Sequence, residues 1–220
     1  MCRLPPGAST LPGSARRGLI EHLRQYPSVE LATPPQRQAA RRIFAELRAA
    51  AVRWRRPSGA TTAGYVVRQA RKRRGGTAVH YLHAERRYQV DDGRYLDPRR
   101  PEVLIYANAP HRPLVLVGVM FAVPRGVRGP TPAGPIARWH RHQVCVAGTK
   151  RGTALGGDGT CPRGARILMG SEMFHMWLTP DLRSAYAVHA PEPELCRAGL
   201  LPRGYCRTSS VGSRRGFGGM

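Results

Sequence analysis

The residues best suited to chemistry are histidines in two stretches of the chain. The first stretch covers residues 136–145 and contains His140 and His142. Residues two apart on a β-strand project from the same face, so a strand here would place the two imidazoles side by side. Imidazole nitrogen is a common protein ligand for transition metals. The pair therefore predicts part of a metal site.

The second stretch, residues 171–178, supplies further donors. The alternation of a β-strand places Met173, His175 and Trp177 on one face. It leaves apolar residues for the opposite face, namely Phe174, Met176 and Leu178. A third imidazole with a thioether beside it could then close on the first pair. The two stretches together indicate a single site.

The predicted ligands all lie in predicted strands. They are His80, His140, His142 and His175, with Met173 beside them. Neutral imidazoles suit zinc, copper or nickel, and an adjacent thioether shifts the preference toward copper. We therefore expect copper or zinc as the cofactor. Any single histidine of this kind is more often an ordinary polar residue of a half-exposed sheet, so the hypothesis depends on the whole set.

Glu172 is the carboxylate that lies next to a candidate ligand. It could orient an imidazole by a hydrogen bond, or act as a general base on metal-bound water. A metal-dependent enzyme with Glu172 handling protons is therefore one alternative. The sequence has no glycine-rich phosphate loop followed by lysine and no Gly-x-Ser-x-Gly elbow. Binding, storage or sensing of a metal is favoured over turnover.

The charge of the chain raises a second alternative, an arginine-rich nucleic-acid-binding protein. The net charge is +23, and residues 37–56 and 71–74 are rich in arginine. However, 34 arginines stand against two lysines. A GC-rich genome produces that bias as readily as selection for phosphate binding does. No aromatic residues interleave the basic run at residues 71–74, so this alternative is not favoured.

The pattern of apolar residues predicts an α+β fold. Residues 34–56 form an amphipathic helix with Thr33 as the N-cap and Pro34 in its first turn. A second short helix is expected at residues 60–69. We expect these N-terminal amphipathic helices to pack on an antiparallel β-sheet or sandwich, with disordered tails.

Several strands should form this sheet. The first is residues 78–82, and residues 102–107 and 114–123 form an antiparallel hairpin. Residues 136–147 and 173–178 are the strands that carry the remaining histidines. The domain organisation follows: residues 1–33 form a loosely ordered segment, residues 34–190 a single α+β domain, and residues 191–220 an irregular or disordered tail.

Cysteines and apolar runs bear on the compartment. Cys145 with Cys161, and Cys196 with Cys206, are spaced for short disulfide loops, and reduced thiols fit the sequence equally well. No apolar run approaches the roughly 20 residues that span a bilayer. Residues 1–17 lack the continuous apolar core of a signal peptide. We therefore expect a cytoplasmic protein, with an extracytoplasmic location as the alternative.

The order of short motifs resembles a group of uncharacterised actinobacterial proteins. The shared motifs are Val79-His80-Tyr81, Asp92-Gly93, Leu96-Asp97-Pro98, Arg100-Pro101-Glu102, Leu104-Ile105-Tyr106, Trp139-His140-Arg141-His142 and Glu172-Met173-Phe174-His175-Met176-Trp177. Many members of that group are exported and have a helical start before a β-rich half. The resemblance covers roughly residues 38–180. It implies an extracytoplasmic location but no particular activity.

The chain departs from that group in two places. It has no obvious export signal, and the basic residues 71–74 replace a neutral loop that contains cysteine. The second departure implies that Cys145 or Cys161 lacks a partner that is present in those proteins.

Overall fold

A computed structural model of the chain describes residues 26–70, 77–83, 93–108, 113–146, 153–154, 161, 163–201 and 206. Within these residues, helices accompany two antiparallel sheets, so the predicted α+β class is confirmed. Residues 71–74, which carry the predicted basic run, lie outside the described part of the chain, as do the residues before position 26.

The longest helix, α1, spans Pro34–Ala51. Its first turn is closed by a capping box. The hydroxyl of Thr33 accepts from the Gln36 amide at 3.4 Å, and the Gln36 side chain accepts from the Thr33 amide at 2.9 Å. The predicted start is therefore confirmed. The chain continues beyond the helix as a 3-10 turn, Val52–Trp54, before it turns away.

The predicted second helix at residues 60–69 is wrong. A short helix, α2, occupies Pro57–Thr62, and a strand, β1, follows at Tyr65–Ala70. Gly64 lies between them with a φ of 87°, a conformation that glycine adopts without steric cost. The β-branched residues Val66 and Val67 then favour extended backbone.

The main sheet has five antiparallel strands. After β1 they are β2 (Thr77–His83), β3 (Val103–Asn108), β4 (Val115–Ala122) and β8 (Met173–Trp177). Their order across the sheet is β1-β2-β3-β4-β8. The predicted hairpin is confirmed as β3 and β4. The last strand joins the edge of β4 with His175 opposite Met120.

A second, smaller sheet contains β5 (Gln143–Val146), β6 (Thr153–Ala154) and β7 (Arg166–Met169), in the order β6-β5-β7. The predicted strand at residues 136–147 is therefore mostly wrong. Its start is a 3-10 turn, Gly134–Ile136, and regular pairing begins only at Gln143. Proline at position 135 cannot donate to a ladder hydrogen bond, which accounts for the late start. Between these elements His140 forms an isolated bridge with Met173.

The two faces of the main sheet have separate cores. The apolar side of α1 covers one face, in a cluster that includes Phe44, Leu47, Tyr106, Phe121, Phe174 and Met176. The other face is covered by a cluster that includes Val103, Ile105, Met120, Trp177, Leu195 and Leu201. The predicted alternation along residues 173–178 agrees with this division, because Phe174 and Trp177 belong to different clusters.

The C-terminal part of the described chain is more ordered than expected. Helix α3 spans Leu182–Ala185, and helix α4 spans Glu192–Arg197. Leu195 and Leu201 are both buried against the sheet. Helix α4 thus lies inside the segment 191–220 that was expected to be irregular or disordered. The segment is too short for a periodic pattern to be recognised in the sequence.

Replacement of Thr33 by alanine should lower the free energy of unfolding by about 1 kcal/mol, because the first turn of α1 loses the hydroxyl that accepts from the Gln36 amide. Urea denaturation followed by far-ultraviolet circular dichroism measures this change. Thr33→Ser is the matched control and should keep most of the stability. Equal losses in the alanine and serine variants would contradict the assigned cap.

Candidate metal centre

His175 is fixed at the centre of β8. Its side chain is only 3% exposed. The imidazole Nδ1 lies 2.9 Å from the carbonyl oxygen of Val188, and the ring stacks on that of Trp177 with 5.6 Å between ring centroids. The segment after α3 thus supplies a hydrogen bond that orients the ring. One hydrogen bond and one aromatic contact therefore orient this imidazole.

His140 reaches the same place through the isolated bridge. Its amide donates to the Met173 carbonyl at 2.9 Å, and the Met173 amide donates back to the His140 carbonyl at 2.8 Å. The imidazole is 2% exposed, and its Nδ1 lies 3.2 Å from the Arg138 carbonyl oxygen. The ring centroids of His140 and His175 are 5.1 Å apart. The two backbone hydrogen bonds between His140 and Met173 therefore bring the His140 ring close to that of His175.

His142 completes a row of three rings. Its ring centroid lies 5.2 Å from that of His140, and its carbonyl accepts from the Gly170 amide at 2.9 Å. Burial, followed by the charge of nearby His189, lowers the pKa of His142 from 6.5 to about 4. This imidazole is therefore neutral at pH 7, which is the form that binds metals.

The contacts of Nδ1 select the tautomer of two rings. A carbonyl oxygen can only accept a hydrogen bond, so the Nδ1 atoms of His140 and His175 must carry the hydrogen. In a neutral ring the lone pair is then on Nε2. The Nε2 atoms of His140, His142 and His175 are all buried. A backbone carbonyl on one nitrogen and a metal on the other is the usual arrangement of a ligating histidine.

The spacing of the rings can be compared with that of a metal site. Two imidazoles bound to one tetrahedral ion by bonds of about 2 Å have ring centres about 5 Å apart. The His140 ring meets this spacing with both neighbours, at 5.1 and 5.2 Å. Among the described residues, no group of three or more His, Cys, Asp or Glu side chains is yet arranged to hold a metal ion. The two pairs have a centroid spacing compatible with a common ion, and that spacing is the extent of the agreement.

The other two predicted ligands are Met173, which lies beside the three imidazoles, and His80, which lies on a separate strand. Met173 lies directly opposite His140 in the bridge, and it packs against the apolar cluster around Val103 and Ile105. His80 lies on β2, which β3 and β4 separate from β8. Three strand spacings amount to roughly 14 Å. The strand order therefore keeps the backbone of His80 away from that of His175.

Glu172 has contacts that differ from its predicted roles. One carboxylate oxygen accepts from the Gly129 amide at 3.0 Å, and the other forms an ion pair with the Arg141 guanidinium at 3.2 Å. Neither contact involves an imidazole. Gly129 packs so closely on the Trp139 ring that a Cβ there would lie 2.0 Å from it. Glu172 thus fastens the loop before the histidine pair.

His189 is a site residue that sequence reasoning missed. It is half-buried, it follows Val188 directly, and its charge lowers the pKa of His142. It belongs to no strand, so the alternation that selected the other histidines could not select it. Its sequence context, after a short helix, carries no ligand signal. Hydrogen bonds from His175 to the Val188 carbonyl and from Trp177 to the Ala187 carbonyl bring its segment to the site.

Two disulfides are present, Cys145–Cys161 and Cys196–Cys206, with Cα–Cα distances of 5.4 and 5.7 Å. Of the two states that the sequence left open, the structure has the oxidised one. Cys145 and Cys161 pair with each other, so each has a partner within this chain. The first disulfide involves Cys145 on β5, and His142 immediately precedes that strand.

The arginines of α1 and of the turn that follows it have divided roles. Arg37 donates to the Ala32 carbonyl, and Arg53 donates to the Arg99 carbonyl at 3.1 Å. The Arg48 guanidinium lies 5.7 Å from the centroid of the Phe44 ring. The exposed arginines are Arg41, Arg42, Arg48, Arg55 and Arg56. No described contact distinguishes this solvated face from a nucleic-acid interface, so the nucleic-acid alternative stays a prediction.

Comparison of the chain with protein-family models, curated proteins and solved structures finds no match. The resemblance to actinobacterial proteins therefore stays a prediction. Within the described residues, none of the helices has both the length and the apolar character that crossing a membrane requires.

The metal-free protein should lose stability in mild acid. The pKa of His142 is about 4 in the folded protein, against 6.5 for an exposed imidazole. The unfolded chain therefore binds more protons between these values, and stability falls as the pH drops from 6.5 toward 4. The contribution from His142 is about 3 kcal/mol when complete. Urea denaturation in the presence of a chelator at a series of pH values measures it, and His142→Gln should flatten the profile in this window. An unchanged profile would contradict the burial of a neutral imidazole.

Removal of the Glu172 carboxylate should destabilise the fold by about 2 kcal/mol, because the Gly129 amide and the Arg141 guanidinium both lose their acceptor. Glu172→Ala and Glu172→Gln can be compared by urea denaturation. The glutamine variant keeps an oxygen for the Gly129 amide and should lose less. Wild-type stability in both variants would show that the carboxylate does not fasten this loop.

Proposed function

We propose that this protein binds a transition metal through His140, His142 and His175, for binding, storage or sensing of the metal. The observation that supports this most strongly is that the His140 imidazole lies close to two others, His142 in its own segment and His175 in a segment far along the chain. Their ring centroids are separated by 5.1 and 5.2 Å, which is the spacing of imidazoles on a common ion.

The protonation of the site favours a metal over a structural role for these rings. Two carbonyls fix Nδ1 of His140 and His175 as the nitrogen that donates, so Nε2 is the nitrogen that a metal would bind in these rings. Borderline ions such as zinc and copper are the natural choice for imidazole donors. Copper or zinc is therefore the proposed cofactor.

Metal binding is favoured over metal-dependent catalysis. The carboxylate proposed as a general base, Glu172, is engaged by Gly129 and Arg141. The two disulfides favour an oxidising compartment, in agreement with the extracytoplasmic location of many proteins that the chain resembles.

The test is a metal titration of protein that has first been stripped with a chelator. Wild-type protein should take up one Zn²⁺ or Cu²⁺ per chain, measured by calorimetry and by elemental analysis after gel filtration. Because Trp177 stacks on His175, Cu²⁺ should also quench its fluorescence. The double variant His140→Ala/His142→Ala loses two of three ligands, and its affinity should fall roughly 100-fold or more.

The matched controls are His83→Ala, at the end of β2, and His80→Ala. Both should bind metal as the wild type does, because β3 and β4 separate β2 from the site. Circular dichroism checks that each variant is folded. Unchanged metal occupancy in the folded double variant would refute the proposed site. A loss of metal in His80→Ala would instead restore the ligand set that the sequence predicted.

A further inference from the structure

The two edge strands of the main sheet, β8 and β1, have different surroundings. The edge of β8 is covered by the segment around His140, through the two backbone hydrogen bonds to Met173. Strand β1 lies at the opposite edge and, among the residues that the structure describes, pairs only with β2. Successive residues of a strand direct their amide and carbonyl to opposite sides, so one of Val66 and Val67 directs these groups away from β2. An edge of this kind can pair with a further strand.

Strand β1 also exposes apolar side chains on both faces of the sheet. Val66 and Val67 are 45% and 53% exposed, and as neighbours in a strand they project to opposite faces. The preceding residue, Tyr65, is buried and packs edge-on against Trp54, with 5.9 Å between ring centroids. The core therefore ends at the start of β1, and the two valines extend beyond it. Exposed valines at a sheet edge are typical of a surface that receives another strand.

A β-bulge limits the length of this edge. The register between β1 and β2 shifts between Val67 and Gln69, and a bulge bends the strand that contains it. The regular part of the edge is therefore short and contains Val66 and Val67. Such an edge suits the docking of one short segment better than the growth of a long sheet.

The charges near β1 indicate which kind of segment fits. The contact between Trp54 and Tyr65 brings the turn after α1 to the start of β1, and the next residues of that turn, Arg55 and Arg56, are exposed. Arg68 lies within β1 itself. A second copy of the chain would bring the same arginines and another net charge of +23 to this edge, which opposes self-pairing. An acidic segment would bring the complementary charge.

We infer that the outer edge of β1 binds an extended acidic segment of another protein, which joins the sheet as an additional strand. The backbone of the segment pairs with β1 around Val66 and Val67, its apolar side chains contact the two valines, and its carboxylates pair with Arg55 and Arg56. The proposed metal ligand His175 lies on β8, at the other edge of the sheet. The inference is therefore independent of the proposed function.

The experiment uses the full chain and a fluorescein-labelled peptide of about eight residues in which valine and glutamate alternate. Fluorescence anisotropy at low salt measures binding. Wild-type protein should bind the peptide saturably, and the affinity should fall with added salt because the arginines are exposed. The same peptide methylated on its backbone nitrogens keeps its charge but cannot donate to a strand ladder. It should bind roughly 10-fold more weakly or worse.

Three single variants test the location of the site. Val66→Glu and Val67→Glu each place a like charge against the acidic peptide, and each should weaken its binding roughly 10-fold. Leu31→Glu is the matched control, because Leu31 is 72% exposed and lies before α1. The 18 residues of α1 extend about 27 Å from there toward the turn beside β1. Leu31→Glu should lose much less affinity. Circular dichroism checks the fold of each variant, and the comparison of the two peptides on wild-type protein decides the matter if a β1 variant does not fold.

The outcomes distinguish strand addition from other occupants of the edge. Absence of saturable binding, equal affinity for the two peptides, or equal losses in Val67→Glu and Leu31→Glu would each overturn the inference. Dimerisation of wild-type protein in analytical ultracentrifugation that disappears in Val67→Glu would assign the edge to a second copy of the chain. Oligothymidylate that displaces the peptide and binds less well to Val67→Glu than to Leu31→Glu would assign it to nucleic acid.

Discussion

The two backbone hydrogen bonds between His140 and Met173 are the constraint on which the candidate site depends. They join the edge strand β8 of the five-stranded sheet to the segment that leads into β5 of the smaller sheet. Without them the two sheets would present their histidines to different surroundings. With them, His140 lies beside His175 at 5.1 Å, and His142 follows two residues later at 5.2 Å from His140. The site is thus a property of the junction between the sheets.

The surroundings of this junction orient two of the imidazoles and keep the imidazole of His142 neutral. Buried, uncharged imidazole is the state in which a ring can donate a lone pair, and the low pKa of His142 shows how strongly burial opposes protonation there. The carbonyls of Arg138 and Val188 determine which nitrogen is available in the other two rings. One carbonyl is local, two residues from His140, and the other comes from the C-terminal part of the chain. Orientation therefore depends on the packing of residues 182–201 against the second face of the sheet.

Local signals explain what the sequence predicted and what it did not. The cap at Thr33, the hairpin of β3 and β4, and the alternation along β8 each depend on neighbours in sequence, and each is confirmed. The partner of β8 is a long-range choice, which is why His80 could not be excluded before the strand order was known. His140 and His142 converge although they lie outside a regular strand, and His189 is brought in by a loop. No periodic pattern encodes either of these arrangements.

In a strongly basic chain, Glu172 neutralises an arginine that lies next to the candidate ligands. A net charge of +23 opposes the approach of any cation, although salt screens charges beyond about 8 Å. Arg141 is the nearest such charge in sequence, because it lies between His140 and His142. Its guanidinium is paired with the Glu172 carboxylate at 3.2 Å, while Glu172 also accepts from the Gly129 amide. The carboxylate that the sequence suggested as a catalytic base therefore offsets the one fixed positive charge between two candidate ligands. An arginine-rich protein can therefore present a candidate cation site here, because the arginine between two of the candidate ligands is paired with a carboxylate.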